Sequence, residues 1–303
     1  MGRTSHIGLG CLFAMDGGSW APVSTHKYGG CYGWQLHQES IARMASAVGQ
    51  MALRLRGVSR VYQQASSPEL EVLRDVDLDV RSAEFVALIG PSGCGKSTLL
   101  GLIAGLDAPT CGEIDVGHME DLNAGVAYMP QRDLLLPWRS LVDNVILGAE
   151  LRGEDRHSAR SRALKLLPEF GLEGFGDALP RTLSGGMRQR AALLRTVLLD
   201  RPTLLLDEPF GALDALTRAA MQEWLLGIWR RRSAAVLFVT HDVEEAVWLS
   251  DRVYVMTSRP GAIKLEVNVE LPRPRGHEIR RDPRFMDAKH RILDALLAEA
   301  VQP

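Results

Sequence analysis

Apolar and polar positions change rhythm several times along the chain. Leu53, Leu55 and Val58 mark a first strand, followed by Tyr62. Val76-Asp77-Leu78-Asp79-Val80 alternates, as a half-buried antiparallel strand does. Phe85–Ile89, Leu204–Leu206 and Ala235–Val239 are instead short continuous apolar runs, the pattern of strands buried on both faces. Glu113–Val116 and Val126–Met129 read as further short strands. Arg252–Met256 and Ile263–Leu271 predict a hairpin around Ser258-Arg259-Pro260-Gly261. Helical spacing appears over Leu99–Leu106. Ser140 is a cap for a helix carrying Leu141, Val145 and Leu151. Arg156–Phe170 predicts an amphipathic helix, with Leu164, Leu166 and Leu167 inward and its arginines solvated. Another helix runs to about Leu199, and one capped by Asp214 reaches about Arg231. Val243–Leu249 and Asp282–Val301 complete the helices.

One stretch dominates this pattern. Gly90-Pro91-Ser92-Gly93-Cys94-Gly95-Lys96-Ser97-Thr98 matches G-x-x-x-x-G-K-[ST] at every fixed position, between a buried strand and a helix. Glycines let the backbone fold close around phosphate oxygens, so that several N–H groups point at one anion. The helix beginning at Lys96 adds its positive end. Lys96 supplies a charge for the β- and γ-phosphates, and the Ser97 hydroxyl can ligate Mg²⁺. The motif predicts binding of a nucleoside triphosphate. Asp207-Glu208-Pro209 follows the apolar run Leu204–Leu206. Acids at the carboxyl end of such a strand stand where α/β sheets hold ligands. Asp207 can hold Mg²⁺, and Glu208 is placed to take a proton from an attacking water.

Composition narrows the setting. The chain has 303 residues, 46% of them hydrophobic, which is ample for a core. A net charge of −2 and dispersed arginines give no reason to expect a nucleic-acid partner. Uninterrupted apolar runs fall far short of a membrane span. Cys11, Cys31, Cys94 and Cys111 form no C-x-x-C pair, and a disulfide at Cys94 would obstruct the phosphate loop. A reducing setting fits. Cys11, His26, Cys31 and His37 match no standard zinc spacing. Residues 1–50 are rich in Gly and Ser and lack periodicity, and read as a disordered extension or a mis-assigned start, with Met44 and Met51 as alternative starts.

Together, Gly90–Thr98, Leu183-Ser184-Gly185-Gly186, Leu206-Asp207-Glu208-Pro209 and His241 resemble, in order and approximate spacing, the ATP-binding subunit of ABC transporters. The resemblance spans about Ala52 to Val301, and L-S-G-G is its discriminating piece. It implies an α/β P-loop NTPase of ABC ATPase type over residues 51–303. Such a domain has a mixed sheet core, an antiparallel β portion, an inserted helical subdomain at about 134–199 and a short tail at about 258–303. It implies ATP and Mg²⁺ as cofactors, and a head-to-tail dimer of two copies. There the ATP held by one phosphate loop meets Ser184, Gly185 and Gly186 of the other copy. Residue by residue, Tyr62 resembles the aromatic that stacks on adenine, and Gln131 the glutamine that reaches Mg²⁺ and the attacking water. Asp214 resembles the loop residue that crosses to the opposite site, and His241 the histidine on the γ-phosphate.

Leu134-Leu135-Leu136-Pro137-Trp138 looks like the importer subunits of the nitrate, sulfonate and taurine group, as do Ser258–Gly261, Leu271–Arg275 and Asp282–Phe285. That likeness implies an integral membrane permease docking near Leu134–Trp138, an external solute-binding protein, and a peripheral position on the cytoplasmic face of the membrane. Departures are the helix Ala191–Leu198, less alanine-rich than usual, and a shortened connection before Ala124-Gly125-Val126. A soluble ABC ATPase uncoupled from transport, or an exporter ATPase, would share the same motifs.

Overall fold

The computed structural model describes residues 50–64, 67–117, 125–232 and 234–300. The expected N-terminal extension, apart from Gln50, and the shortened connection before Val126 lie outside the described residues, as do Cys11, His26, Cys31 and His37.

Among the described residues, nine strands form two sheets. β1 (Met51–Gln64), β2 (Ser67–Arg81) and β4 (Cys111–Asp115) make an antiparallel sheet in the order β2-β1-β4. The other sheet holds β3 (Phe85–Ile89), β5 (Val126–Met129), β6 (Thr203–Asp207), β7 (Ala235–Val239), β8 (Arg252–Met256) and β9 (Ile263–Asn268). Its order is β5-β6-β7-β3-β8-β9, parallel except for the β8–β9 hairpin. β3, β6, β7 and β8 are buried at every position; β3 and β7 are apolar throughout, while β6 and β8 also bury Thr203, Asp207 and Arg252.

Alternation divides this sheet between two cores. Phe85, Ala87 and Ile89 face the side covered by helices, while Val86 and Leu88 face the antiparallel sheet and the first helix. That helix is α1 (Lys96–Ile103). The opposite face receives α5 (Gly185–Leu198), α6 (Ala215–Arg232), α7 (Val243–Leu249) and α8 (Pro283–Ala300). Between β5 and α5 run α2 (Leu141–Val145), α3 (Leu147–Leu151) and α4 (Arg156–Leu166).

Local rules set several boundaries. Ser140 caps α2 by accepting the Asp143 N–H at 3.2 Å. The helix expected through Leu151 divides at Ile146 into α2 and α3. α4 stops before Pro168, which opens a 3-10 turn to Phe170 instead of continuing the expected helix. Leu164 is 44% exposed rather than inward; Ala159, Ala163 and Leu167 fill the buried stripe instead. The first hairpin is also longer than its alternating stretch suggests, because β1 and β2 stay paired from Met51–Arg81 out to Gln64–Ser67.

Candidate active site

The parallel strands all end at one edge. In the pairing register Leu88 stands beside Val239, Val239 beside Asp207, and Leu206 beside Met129. The next residues along β3, β5, β6 and β7 therefore project into a common crevice, the usual ligand position of an open parallel sheet. They are the loop from Gly90, then Gln131, Asp207 with Glu208, and His241. The crevice is a cleft of about 520 Å³, and Tyr62, Lys96, Gln131, Asp207, Glu208 and His241 all line it.

Gly90, Ser92, Gly93, Gly95, Ser97 and Thr98 also line the cleft. Gly95 has φ 107, and a Cβ there would stand 2.7 Å from Leu73 Cδ2, so glycine is required on both counts. Lys96 is only 8% exposed, and its ammonium donates to the carbonyls of Gly90 and Pro91, each at 2.8 Å. The loop thus builds a cation into its own floor. Pro91 and Cys94 shape the backbone without lining the cleft, and the Cys94 side chain is buried.

Asp207 is 2% exposed. Burial pushes its carboxyl above the usual aspartate range, a hydrogen bond from Ser97 pulls it back, nearby Glu208 adds to the rise, and Lys96 opposes it. Its Oδ2 is buried with no hydrogen-bond partner among the described residues. An orphaned carboxylate oxygen beside a serine hydroxyl suits a hard cation. No group of three or more acidic, histidine or cysteine side chains that could hold a metal exists among the described residues. A cation here would need phosphate oxygens to complete its shell, as Mg²⁺ commonly does.

Glu208 sits in the left-handed region at φ 47, a conformation costly for a residue with a side chain. Backbone bonds hold it there: its N–H donates to Val239 O at 3.0 Å, and its carbonyl accepts from Gly211 N at 3.1 Å. Gln189, buried on α5, adds a donor to the same carbonyl at 3.3 Å. Gln131 Nε2 donates to Glu208 Oε2 at 3.3 Å, and His241 Nδ1 lies 3.3 Å from the same oxygen. One carboxylate oxygen is thus flanked by an amide and an imidazole, an arrangement able to orient a water and receive its proton.

Tyr62 also lines the cleft. Its hydroxyl donates to Asp107 at 3.1 Å, and the Arg60 guanidinium covers the ring at 4.4 Å from its centre. Backbone and side-chain hydrogen bonds, the first from Ala108, hold the Asp107 carboxyl below the usual range.

Ser184, Gly185, Gly186 and Asp214 do not line this cleft. Ser184 caps α5, its hydroxyl accepting from Met187 N at 3.2 Å. Asp214 accepts from Leu216 N at 3.1 Å and Thr217 N at 3.0 Å at the start of α6. Gly186 sits against that turn: a Cβ on it would be 3.3 Å from Leu213 Cδ2. Elsewhere, Leu135 turns into the core, while Leu134 and Trp138 are exposed, Trp138 at 74%.

Gln189 and Arg259 are site residues that sequence reasoning missed. Gln189 lies on α5 just beyond Leu183–Gly186 and carries no charge to single it out. Arg259 lines the cleft although it follows Gly93 by well over a hundred positions.

Known proteins resemble this chain closely. The family described as ABC transporter matches residues 73–211. The nitrate import ATP-binding protein NrtD of Synechocystis sp. is 40% identical over 81% of this chain and 95% of its own length. The aliphatic sulfonates import ATP-binding protein SsuB 1 of Streptomyces avermitilis is 45% identical over 91% and 94%. Among solved structures, the dimeric structure of MJ0796, a bacterial ABC transporter cassette, has a TM-score of 0.66 and 29% identity, covering 73% of this chain and all of that one. A post-hydrolysis state of the same cassette, bound to ADP and Pi, has a TM-score of 0.64.

Proposed function

The chain belongs to the ATP-binding subunits of ABC transporters, and from that premise we propose that it hydrolyses ATP to power import of a small anionic solute through a separate permease. The observation that carries the reading is the cleft itself, where a phosphate loop, an orphaned acid and a flanked carboxylate meet at one sheet edge. The nitrate and aliphatic sulfonate importers among its relatives support the solute class. No helix among the described residues is long and apolar enough to cross a membrane, which supports a permease on a different chain.

Each residue has a role in this reading. Adenine stacks on Tyr62, on the face that Arg60 leaves open. Backbone N–H groups from Gly93 to Thr98 bind the triphosphate, and Lys96 supplies charge to its β and γ positions. Ser97 and Asp207 would hold Mg²⁺, with Gln131 beside them, and the bound ion would supply charge neutralisation for the triphosphate. Glu208 takes the proton of the attacking water, oriented by Gln131, while His241 contacts the γ-phosphate.

The dimeric cassette among the neighbours supports assembly of two copies head to tail. Ser184, Gly185, Gly186 and Asp214 then act on the partner's nucleotide, which accounts for their distance from the cleft on their own chain. ATP becomes the glue of the closed dimer, and its hydrolysis releases it. Residues 51–303 form the nucleotide-binding domain, with a helical subdomain at about 134–199 and a tail at about 258–303. Exposed Leu134 and Trp138 offer an apolar anchor for the permease at the cytoplasmic face of the membrane. A binding protein outside the membrane delivers the solute.

The test is growth of the source organism with an aliphatic sulfonate as sole sulfur source, or nitrate as sole nitrogen source. Deletion should abolish growth on one of them, and the wild-type gene, but not Glu208→Gln, should restore it. Normal growth of the deletion strain on both would reject the solute class.

A further inference from the structure

From sequence, Ser258-Arg259-Pro260-Gly261 is only a hairpin turn between β8 and β9. In the fold this turn lies against the phosphate loop. Gly261 N donates to Val72 O at 2.9 Å, and Gly261 O accepts from Arg74 N at 3.0 Å. These bonds tie the turn to β2 at the point where Leu70 and Val72 line the cleft. A Cβ on Gly261 would stand 2.1 Å from Cys94 O, so the turn backbone abuts the loop directly.

Arg259 completes the contact. Its Nε and one terminal nitrogen both donate to the carbonyl of Gly93, at 3.1 Å and 2.9 Å. Gly93 has φ 75, the left-handed backbone typical of anion-binding loops. Such a loop turns N–H groups toward the anion only while its carbonyls point elsewhere. A guanidinium with two donors in a fixed fork holds one carbonyl in a way that a single donor does not. On its other side the turn is anchored to the C-terminal helix. Ser258 N donates to Glu299 Oε2 at 2.9 Å, and Glu299 Oε1 accepts from Lys264 Nζ at 2.6 Å. Glu299 itself is buried.

We propose that Arg259 is a positioning residue for nucleotide binding: its two donors fix the Gly93 carbonyl and with it the backbone of the loop, and Glu299 of α8 sets the turn that carries it. The N–H groups of the loop are thereby preorganised for a triphosphate, which lowers the ordering cost of binding. The inference rests on the reading of the cleft as an ATP site. It adds that the far end of the chain reaches that site through one turn.

The test is equilibrium titration of the full chain with the non-hydrolysable β,γ-imido analogue of ATP, alongside steady-state kinetics and melting curves. Arg259→Ala should raise the Kd roughly tenfold. The loss should appear in KM rather than in kcat. Arg259→Lys, with one donor nitrogen in place of two, should recover part of it. Glu299→Ala should shift Kd in the same direction by less. The double variant should bind no more weakly than Arg259→Ala alone, since both act on one contact. If Arg259→Ala fails to fold, Arg259→Lys and Glu299→Ala still carry the test. A wild-type Kd in Arg259→Ala would overturn the proposal. So would an Arg259→Lys as weak as Arg259→Ala with both melting lower, which would mark a merely structural arginine. A wild-type chain that does not bind the analogue would instead defeat the ATP-site reading.

Discussion

Oε2 of Glu208 lies 3.3 Å from Nδ1 of His241, across the ends of neighbouring strands β6 and β7. The same oxygen accepts from Gln131 on β5's loop, so three strand ends converge on one carboxylate oxygen. Glu208 reaches this point only by adopting a left-handed backbone that Val239, Gly211 and Gln189 hold in place. Strain kept by so many bonds is what a functional position shows.

Glu208→Gln keeps the shape of that oxygen cluster and removes its basicity. Turnover of Mg²⁺-ATP should fall by roughly 10²–10⁴-fold, with ATP binding retained. Bound ATP should then hold the protein as a dimer, visible by light scattering. Near-normal phosphate release would contradict the assignment of the base.

Lys96→Ala removes the cation that the loop carries on the carbonyls of Gly90 and Pro91. ATP affinity should drop by roughly 10–100-fold, by loss of charge-assisted bonds, and turnover with it. An unchanged Kd in calorimetric titration would count against the phosphate reading.

Asp207 gives a pH-dependent prediction. Burial raises its carboxyl, so the protonated form persists to higher pH than for an ordinary aspartate. A protonated carboxyl cannot ligate a cation. The Mg²⁺ concentration needed for half-maximal ATPase activity should therefore rise as the pH falls toward that raised value. Asp207→Asn should lose turnover by roughly 100-fold or more and show no such pH trend. A Mg²⁺ requirement that is flat with pH in the wild-type chain would contradict this.

Glu245 tests stability rather than catalysis. It is buried on α7, where burial raises its carboxyl while hydrogen bonds from Thr240 and Gln222 partly offset the rise. Folded protein then binds this proton more tightly than unfolded protein does. The contribution to stability is fully present below the ordinary glutamate range and is lost as pH rises through the raised folded value. Urea midpoints from pH 4 upward should fall more steeply for wild type than for Glu245→Gln. Parallel curves would refute the linkage.

Much of this site was legible in sequence because its chemistry is local. Gly90–Thr98 is continuous, and Asp207-Glu208 closes an apolar run whose burial fixes its end. His241 and Gln131 take their roles from the family resemblance alone, because the strand order that unites them is not written in any segment. Arg259 was illegible as a site residue for the same reason. Its contact with Gly93 depends on β8 lying beside β3, a long-range pairing. Leu164 shares the helical spacing of the inward residues yet is exposed, because the small Ala159 and Ala163 form the face on which α4 packs.

The central claim, that this ATPase drives a separate permease, is tested most directly by purification from membranes. A C-terminally tagged chain would be extracted in mild detergent and its partners identified and counted. The account predicts a stoichiometric multi-span membrane protein, lost when exposed Trp138 is changed to Ala while ATP binding remains. A chain recovered only from the soluble fraction, with no membrane protein at any stoichiometry, would contradict it.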